Sequence, residues 1–232
     1  DHIPVVQRGL MDIEHHMLHF LENHDEQRLA SPEFAGNAEL GKPAMVVSAT
    51  LSSSPTMLYF GQEVGEPGAE DAGFGKPSRT SIFDYIGVPH HQRWMNSGAF
   101  DGGALSPEEK ALRDFYGRLL RFTTASEALM GEYQDIHYYN KEQTEGYDHR
   151  VYSFVRWGDR ERLVIVSNFE ADRSYELDLK LPPDVLEEWG LNPVTYPLEE
   201  KLYGSRSTAL EVRDGQGHIP LSLGPLESVI LS

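Results

Sequence analysis

Hydrophobic and polar positions follow different periods in different parts of this chain of 232 residues. From Leu112 to Phe122 apolar side chains recur every three or four positions, which predicts a helix. This stretch follows Ser106-Pro-Glu-Glu109, the sequence of a capping box with proline at the first helical position. Pro43 to Leu51 is apolar on nearly every side and predicts a helix packed between a sheet and its neighbours.

A short apolar run near the start of the chain ends in a cluster of polar residues. Met17 to Leu21 reads as a buried strand, and Asn23, His24, Asp25 and Arg28 follow it at once. Thr56 to Phe60 predicts a second short buried strand. Strand, helix and strand in this order form a βαβ unit, so the sequence predicts that the two strands are parallel.

After Gly131 the period changes from helical to alternating. Gly158-Asp159 separates two β-branched and aromatic runs and predicts a hairpin. Short strands with Gly and Pro turns are typical of an antiparallel β-sandwich. The runs are 151–157, 162–169, 175–181, 210–213, 218–223 and 228–231. We therefore expect two domains, residues 1–130 and residues 131–232.

Two motifs carry a resemblance to a known family. Phe20-Leu-Glu-Asn-His-Asp25 resembles the strand-seven motif F-x-x-N-H-D of the α-amylase superfamily of glycoside hydrolases. Pro55 to Gly65 resembles its strand-eight signature P-x-x-x-Y-Y-G-x-E-x-G, and Phe100 to Tyr116 resembles the entry to its last barrel helix. The resemblance implies a mixed fold class, α/β plus all-β. The first domain is then the C-terminal part of a (β/α)8 TIM barrel, with strands 7 and 8 and the last helices, followed by the β-sandwich.

The length of the chain is short for that architecture. A complete eightfold barrel alone takes about 250 residues. The chain starts Asp1-His-Ile-Pro, without Met and without a basic and apolar leader. We interpret it as a C-terminal fragment of a larger enzyme, and a small mature protein left after signal removal is the alternative.

The resemblance implies roles for Asp25 and His24, and the chemistry of a nearby arginine suggests one for Arg28. Asp25 is the third carboxylate of the family, which stabilises the transition state by hydrogen bonding to the reacting sugar. His24 binds the same sugar, and Arg28 joins the substrate site by pairing with Asp25 or with a neighbouring carboxylate. Asn23 is expected to hold the loop together. The alternative for Asn-His-Asp is a cluster that caps a helix or forms a turn, positions that Asn and Asp favour.

The two carboxylates that break the glycosidic bond are not found in this sequence. Retaining hydrolysis needs a nucleophile and an acid/base residue roughly 5 Å apart. The family carries its nucleophile in a G-x-R-x-D context on strand four, and no such run is present. We expect the intact parent to cleave α-glucans, such as starch and maltooligosaccharides, by retaining double displacement. The isolated chain is expected to be inactive.

The amino-acid composition limits the kinds of partner, cofactor and location that are compatible with this chain. The net charge of −17 disfavours binding to nucleic acid, whereas the binding of a neutral α-glucan does not depend on net charge. Cysteine is absent, so there are no disulfides or thiolate metal sites, and both cytoplasmic and exported locations stay open. No apolar run approaches the ~18 residues of a membrane span. No cofactor is evident. Calcium is possible in the intact parent, but its ligands cannot be assigned to residues of this chain.

Three readings of function stay open. The first is the enzyme part described above; the second is a stand-alone carbohydrate-binding protein that kept the sandwich; the third is a glucan transferase or branching enzyme of the same superfamily. Incomplete barrel edges predict self-association or a partner supplying the remainder of the barrel. A long loop from Gly61 to Gly103 carries Phe83, Tyr85 and Trp94, which form either a core of their own or a stacking surface for a sugar.

Overall fold

The computed structural model describes residues 2–10, 12–68, 79–80, 88–204 and 206–232. Its α-helices are α1 (His2–Leu10), α2 (Gly41–Thr50), α3 (Pro89–Met95), α4 (Pro107–Ala125), α5 (His137–Gln143) and α6 (Pro183–Glu188). Its strands are β1 (Glu132–Asp135), β2 (Val151–Trp157), β3 (Arg162–Asn168), β4 (Tyr175–Leu181), β5 (Thr195–Glu199), β6 (Ser207–Arg213), β7 (Gln216–Leu223) and β8 (Ser228–Leu231).

Contacts group the chain into two compact units. The sandwich unit comprises Asp1–Met17, Thr50–Ser54 and Phe122–Ser232, and the site unit comprises Leu18–Ala49 and Pro55–Arg121. The domain boundary near residue 130 stays a prediction, because two N-terminal pieces of the chain group with the C-terminal strands.

The sandwich unit contains two antiparallel four-stranded sheets, in the orders β1-β2-β3-β8 and β4-β7-β6-β5. In β4 buried and accessible residues alternate, so one face of its sheet meets the core and the other meets solvent. Strand β2 is buried almost throughout, which shows that its sheet is covered on both faces. These sheets confirm the predicted antiparallel β-sandwich.

Local sequence explains several elements of both units. Strands β2 and β3 form the predicted hairpin, with Trp157 opposite Arg162. Asp214 and Gly215 both have positive φ in the two-residue turn between β6 and β7, which suits the right-handed twist of the strands. At the start of α4, the Ser106 amide donates to Glu109 Oε2 over 2.8 Å, and the Glu109 amide donates to Ser106 Oγ over 3.2 Å. The predicted capping box is therefore confirmed.

The two predicted barrel strands are parallel but much shorter than expected. His19 and Thr56 form a single parallel bridge, and helix α2 lies between them in the chain, as the βαβ prediction requires. Leu18 is 47% exposed and Phe20 is 40% exposed, so the prediction of a buried strand is wrong here. In the described ranges no further β-bridge extends this pair into a sheet, and a parallel strand is buried only when neighbours cover it.

No helix in the described ranges combines the length and the apolar character that crossing a membrane requires.

Candidate functional site

Asp25 and His24 lie on an exposed loop of the site unit, directly after the segment that pairs with Thr56. The side chain of Asp25 is 77% exposed and that of His24 is 51% exposed, with 3.4 Å between His24 Nε2 and Asp25 Oδ2. A carboxylate accepts hydrogen bonds, and an imidazole nitrogen can donate one. The pair can therefore bind two neighbouring hydroxyl groups of one ligand.

Asn23 shapes the loop rather than projecting from it. Its Oδ1 accepts hydrogen bonds from the backbone amides of Asp25, over 2.8 Å, and of Glu26, over 2.9 Å. This is the asparagine turn that the side chain favours in irregular backbone. The expectation that Asn23 holds the loop together is confirmed. The turn alternative for Asn-His-Asp describes the backbone correctly and leaves the two exposed side chains available.

Arg28 is completely buried and pairs with Glu22 rather than with Asp25. The distance from Arg28 Nη1 to Glu22 Oε2 is 2.9 Å, and neither side chain is accessible to solvent to a significant degree. The second oxygen of Glu22, Oε1, accepts a hydrogen bond from the Leu29 amide over 2.8 Å. Of the two partners expected for Arg28, the structure has the neighbouring carboxylate.

The guanidinium of Arg28 also connects the loop to the second motif. Its Nη1 donates to the Phe60 carbonyl over 2.8 Å, and its Nε donates to Thr80 Oγ1 over 2.9 Å. The guanidinium lies 4.4 Å from the ring centre of Tyr59 and 4.8 Å from that of Phe60. The end of the Thr56–Phe60 segment is thus held against the loop that carries Asp25.

Two glycines of the second motif adopt backbone conformations that other residues avoid. Gly61 has φ of 82° and Gly65 has φ of 71°, and they flank a short 3-10 helix, Gln62–Val64. A Cβ atom on Gly61 would also lie 3.0 Å from Glu66 Cβ. The left-handed region favours glycine strongly, which explains both glycines of the motif physically.

Glu66 is a second buried carboxylate near Arg28. Its Oε2 accepts hydrogen bonds from the amides of His90, over 2.9 Å, and His91, over 3.1 Å, at the start of α3. Its Oε1 has no hydrogen-bond partner among the described residues. Burial raises the pKa of Glu66, although the His91 amide and the charges of His90 and Arg28 oppose the shift.

Burial also controls the ionisation of Glu22. Loss of water raises the pKa of this carboxyl group, while the charge and hydrogen bond of Arg28 lower it by a smaller amount. Arg28 therefore offsets part of the cost of burying the carboxylate and leaves its pKa above the ordinary value.

The long loop after the second motif is partly helical, since α3 lies within it. Trp94 stacks on His91 with ring centres 5.5 Å apart and meets the edge of Phe100 at 5.9 Å. These contacts favour the interpretation of Trp94 as part of a core within the loop. Phe83 and Tyr85 lie outside the described residues.

In the part of the chain that the structure describes, no group of three or more His, Cys, Asp or Glu side chains is arranged to hold a metal ion.

Sequence reasoning missed the two buried carboxylates of this site. Glu22 lies inside the strand-seven motif and six positions before Arg28, and a charge within an apolar run is a signal that a partner is near. Glu66 gave no such signal, because its partners are backbone amides of a helix far along the chain. Glu63, in the second motif, has a buried oxygen, Oε2, without a partner among the described residues.

Comparison with known proteins gives a clear result for the fold alone. No protein-family model matches the chain, and no curated protein matches it. Solved structures do match. AmyP in complex with maltose is 21% identical with a TM-score of 0.57, and the match covers 92% of this chain and 40% of AmyP.

Two further structures show the range of the likeness. A noncanonic maltogenic α-amylase, AmyB from Thermotoga neapolitana, is 15% identical with a TM-score of 0.63, covering 99% of this chain and 44% of that one. A debranching enzyme from Nostoc punctiforme, soaked with acarbose, is 17% identical with a TM-score of 0.55, covering 99% and 37%. The chain thus spans about two fifths of the length of these three structures. These likenesses confirm the fold that the resemblance implied.

Proposed function

We propose that this chain supplies the transition-state-stabilising carboxylate, Asp25, and a sugar-binding imidazole, His24, to an α-amylase-like glycoside hydrolase acting on α-glucans. One observation carries the proposal. The exposed Asp25–His24 pair follows the segment that pairs in parallel with Thr56, and its loop is tied to the Phe60 carbonyl through Arg28. The carboxyl ends of two parallel segments meet there, and barrel enzymes place their chemistry at that end.

The chemistry asked of Asp25 is electrostatic. As a sugar ring approaches an oxocarbenium-like transition state, its hydroxyl groups become better hydrogen-bond donors, and a fixed carboxylate binds them more tightly than in the ground state. His24 donates to a hydroxyl of the same ring. Arg28 is part of the proposed substrate site through the position of the loop. Nucleophile and acid/base are assigned to other parts of the parent protein, so the chain alone turns over no substrate.

A binding experiment tests the role of Asp25. Calorimetric titration of the full chain with maltotriose should show weak binding, and Asp25→Asn should lower the affinity about tenfold by removing a charged acceptor. Glu211→Gln, which neutralises an exposed carboxylate on β6, is the matched control and should bind as the original chain does. Equal affinity of the original chain and Asp25→Asn would contradict the proposal.

The DNA sequence upstream of Asp1 distinguishes the enzyme from a stand-alone carbohydrate-binding protein. Sequencing the DNA upstream of Asp1 should reveal an open reading frame with a G-x-R-x-D motif if the enzyme reading is correct. Release of reducing ends from a maltooligosaccharide by the isolated chain would refute its inactivity. Product analysis of the parent separates a hydrolase from a glucan transferase, because a transferase yields longer oligosaccharides.

The exposed apolar residues on either side of the parallel bridge support a proposed partner. Leu18 and Phe20 flank His19 and leave apolar surface exposed to solvent. Burial of such surface favours association, so the proposed partner is either the remainder of a barrel or a second copy. Sedimentation velocity should show association that grows with concentration and weakens in Leu18→Lys. A single monomeric species at all concentrations would count against it.

A further inference from the structure

We propose that Glu22 is a positioning residue whose carboxylate closes the loop carrying His24 and Asp25. The inference rests on the proposed function, because it assigns a role at the same loop. Glu22 stands at the beginning of the loop, and both of its oxygens reach the far end. One oxygen binds the Arg28 side chain and the other binds the Leu29 amide, so residues 23–28 form a closed turn between these anchors.

Hydrogen bonds fix this loop in three places: inside it, at its ends and at the next segment. Inside it, Asn23 Oδ1 holds the amides of Asp25 and Glu26. At its ends, Glu22 holds Arg28 and Leu29. Beyond it, the same Arg28 Nη1 donates to the Phe60 carbonyl, which joins the closed loop to the next segment. A loop held this way presents its exposed side chains with little freedom, and positioned groups bind a ligand at a smaller entropic cost.

Glu22 also determines what Arg28 does not bind. The Glu22 carboxylate compensates the buried guanidinium of Arg28, and its removal would leave that charge uncompensated. Because Glu22 neutralises Arg28, Asp25 remains exposed, with His24 as its only ion-pair partner among the described residues. The lone pairs of Asp25 therefore stay available to a sugar hydroxyl rather than to an internal cation.

Two variants separate the charge of Glu22 from its size. Glu22→Gln keeps the size and can still accept from the Leu29 amide, but its amide nitrogen faces the donors of Arg28. Glu22→Asp keeps the negative charge and loses one methylene group. Glu109→Gln is the control, since Glu109 is a second buried carboxylate of the site unit that pairs with an arginine, Arg93. The partners of Glu109 among the described residues are His90, Arg93 and Ser106, which all lie outside residues 22–29.

The readout is amide hydrogen exchange at Asp25 and Glu26, followed by titration with maltotriose. In Glu22→Gln we expect exchange at both amides to accelerate about tenfold and the affinity to fall about fivefold, with a smaller change in Glu22→Asp. Glu109→Gln should change neither. The buried amides of Met45 and Val46 in α2 must keep their protection in each variant, which shows that the unit remains folded.

Three outcomes would overturn the inference: unchanged exchange in Glu22→Gln, a larger effect in Glu22→Asp than in Glu22→Gln, or faster exchange with unchanged affinity for maltotriose. Exchange is measured without sugar. If the original chain binds no maltotriose, the proposed function fails, and faster exchange in Glu22→Gln then supports loop closure while unchanged exchange overturns it.

Discussion

Each unit of this protein contains one completely buried arginine, and the two are stabilised in different ways. In the site unit Arg28 pairs with a carboxylate, Glu22, and retains one nitrogen, Nη2, without a partner among the described residues. In the sandwich unit the acceptors of Arg156 among the described residues are all backbone carbonyls, those of Leu129, Gly131, Glu132 and Thr50. Burial lowers the pKa of Arg156 to about 10.

The two arginines therefore have different roles: Arg156 joins backbone segments, and Arg28 neutralises a buried carboxylate. Arg156 satisfies the carbonyls of a backbone turn and so joins Thr50 to the start of β1 within its unit. Arg28 neutralises a charge and positions an exposed loop. A buried carbonyl site loses hydrogen bonds when its arginine is removed, whereas a buried ion pair also leaves a charge behind. The following predictions use this contrast, beginning with the largest effect.

Removal of the Arg156 side chain should be the most damaging change. Arg156→Met removes the hydrogen bonds from Arg156 to four carbonyl groups and should lower the free energy of unfolding by about 4 kcal/mol. Urea denaturation followed by circular dichroism measures it. Arg160→Met removes an exposed arginine paired with Glu127 and should cost under about 1 kcal/mol. Similar losses in both variants would contradict the role assigned to Arg156.

Arg28→Met should cost about 3 kcal/mol at pH 7, because it leaves Glu22 buried and charged without a partner. The two arginines should then respond differently to acid. In Arg28→Met the pKa of Glu22 is raised further, so the folded state takes up a proton more readily and the loss should shrink as pH falls from 7 to 5. The loss in Arg156→Met should not shrink. If the stability losses of the two variants depended on pH in the same way, the proposed difference between the two arginines would be wrong.

His137 tests whether burial in the sandwich unit makes stability depend on pH. Burial lowers the pKa of His137 to about 4, and the charge of Asp135 opposes the shift. In the unfolded chain His137 takes up a proton near pH 6.5, whereas in the folded chain it stays neutral at that pH. The free energy of unfolding is therefore highest above pH 6.5 as far as His137 is concerned, and it falls as the pH is lowered toward 4.

We expect this loss to amount to about 2 kcal/mol, since the raised pKa of Asp135 offsets part of it. His137→Gln should flatten the profile of unfolding free energy between pH 6.5 and 4. His149→Gln, at an exposed histidine, should leave the profile as it is. A profile in His137→Gln as steep as the original would show that other groups cause the dependence.

The smallest effect concerns a purely local feature, the capping box of α4. Ser106→Ala removes the acceptor for the Glu109 amide and should cost about 1 kcal/mol, measured as a shift of the urea midpoint. Lys110→Ala, an exposed change in the same helix, should stay within a few tenths of a kcal/mol. An equal shift in both would mean that the box adds nothing to stability.

Elements whose signal lies in local periodicity could be predicted from the sequence. Helix α4, strand β4 and the turn at Asp214 follow from spacing and turn chemistry, and the structure contains all three. Strands β1 and β5 were missed. Both are edge strands, and β5 contains Pro197, which interior strands avoid. Strand β1 has four residues with one apolar side chain, Tyr133, and β5 is interrupted by Pro197, so neither shows the sustained alternation that reveals β4.

In the candidate site, too, some features follow from local sequence and others depend on tertiary contacts. Sequence motifs by themselves placed the polar pair His24 and Asp25 directly after an apolar segment, and the structure added that both side chains are exposed. Only the tertiary structure decided that Arg28 is buried, that Glu22 is its partner and that Leu18 and Phe20 are exposed. The reason is physical: burial and ion pairing depend on which distant segments meet, as Arg28 meets the Phe60 carbonyl, and no local period encodes such a meeting.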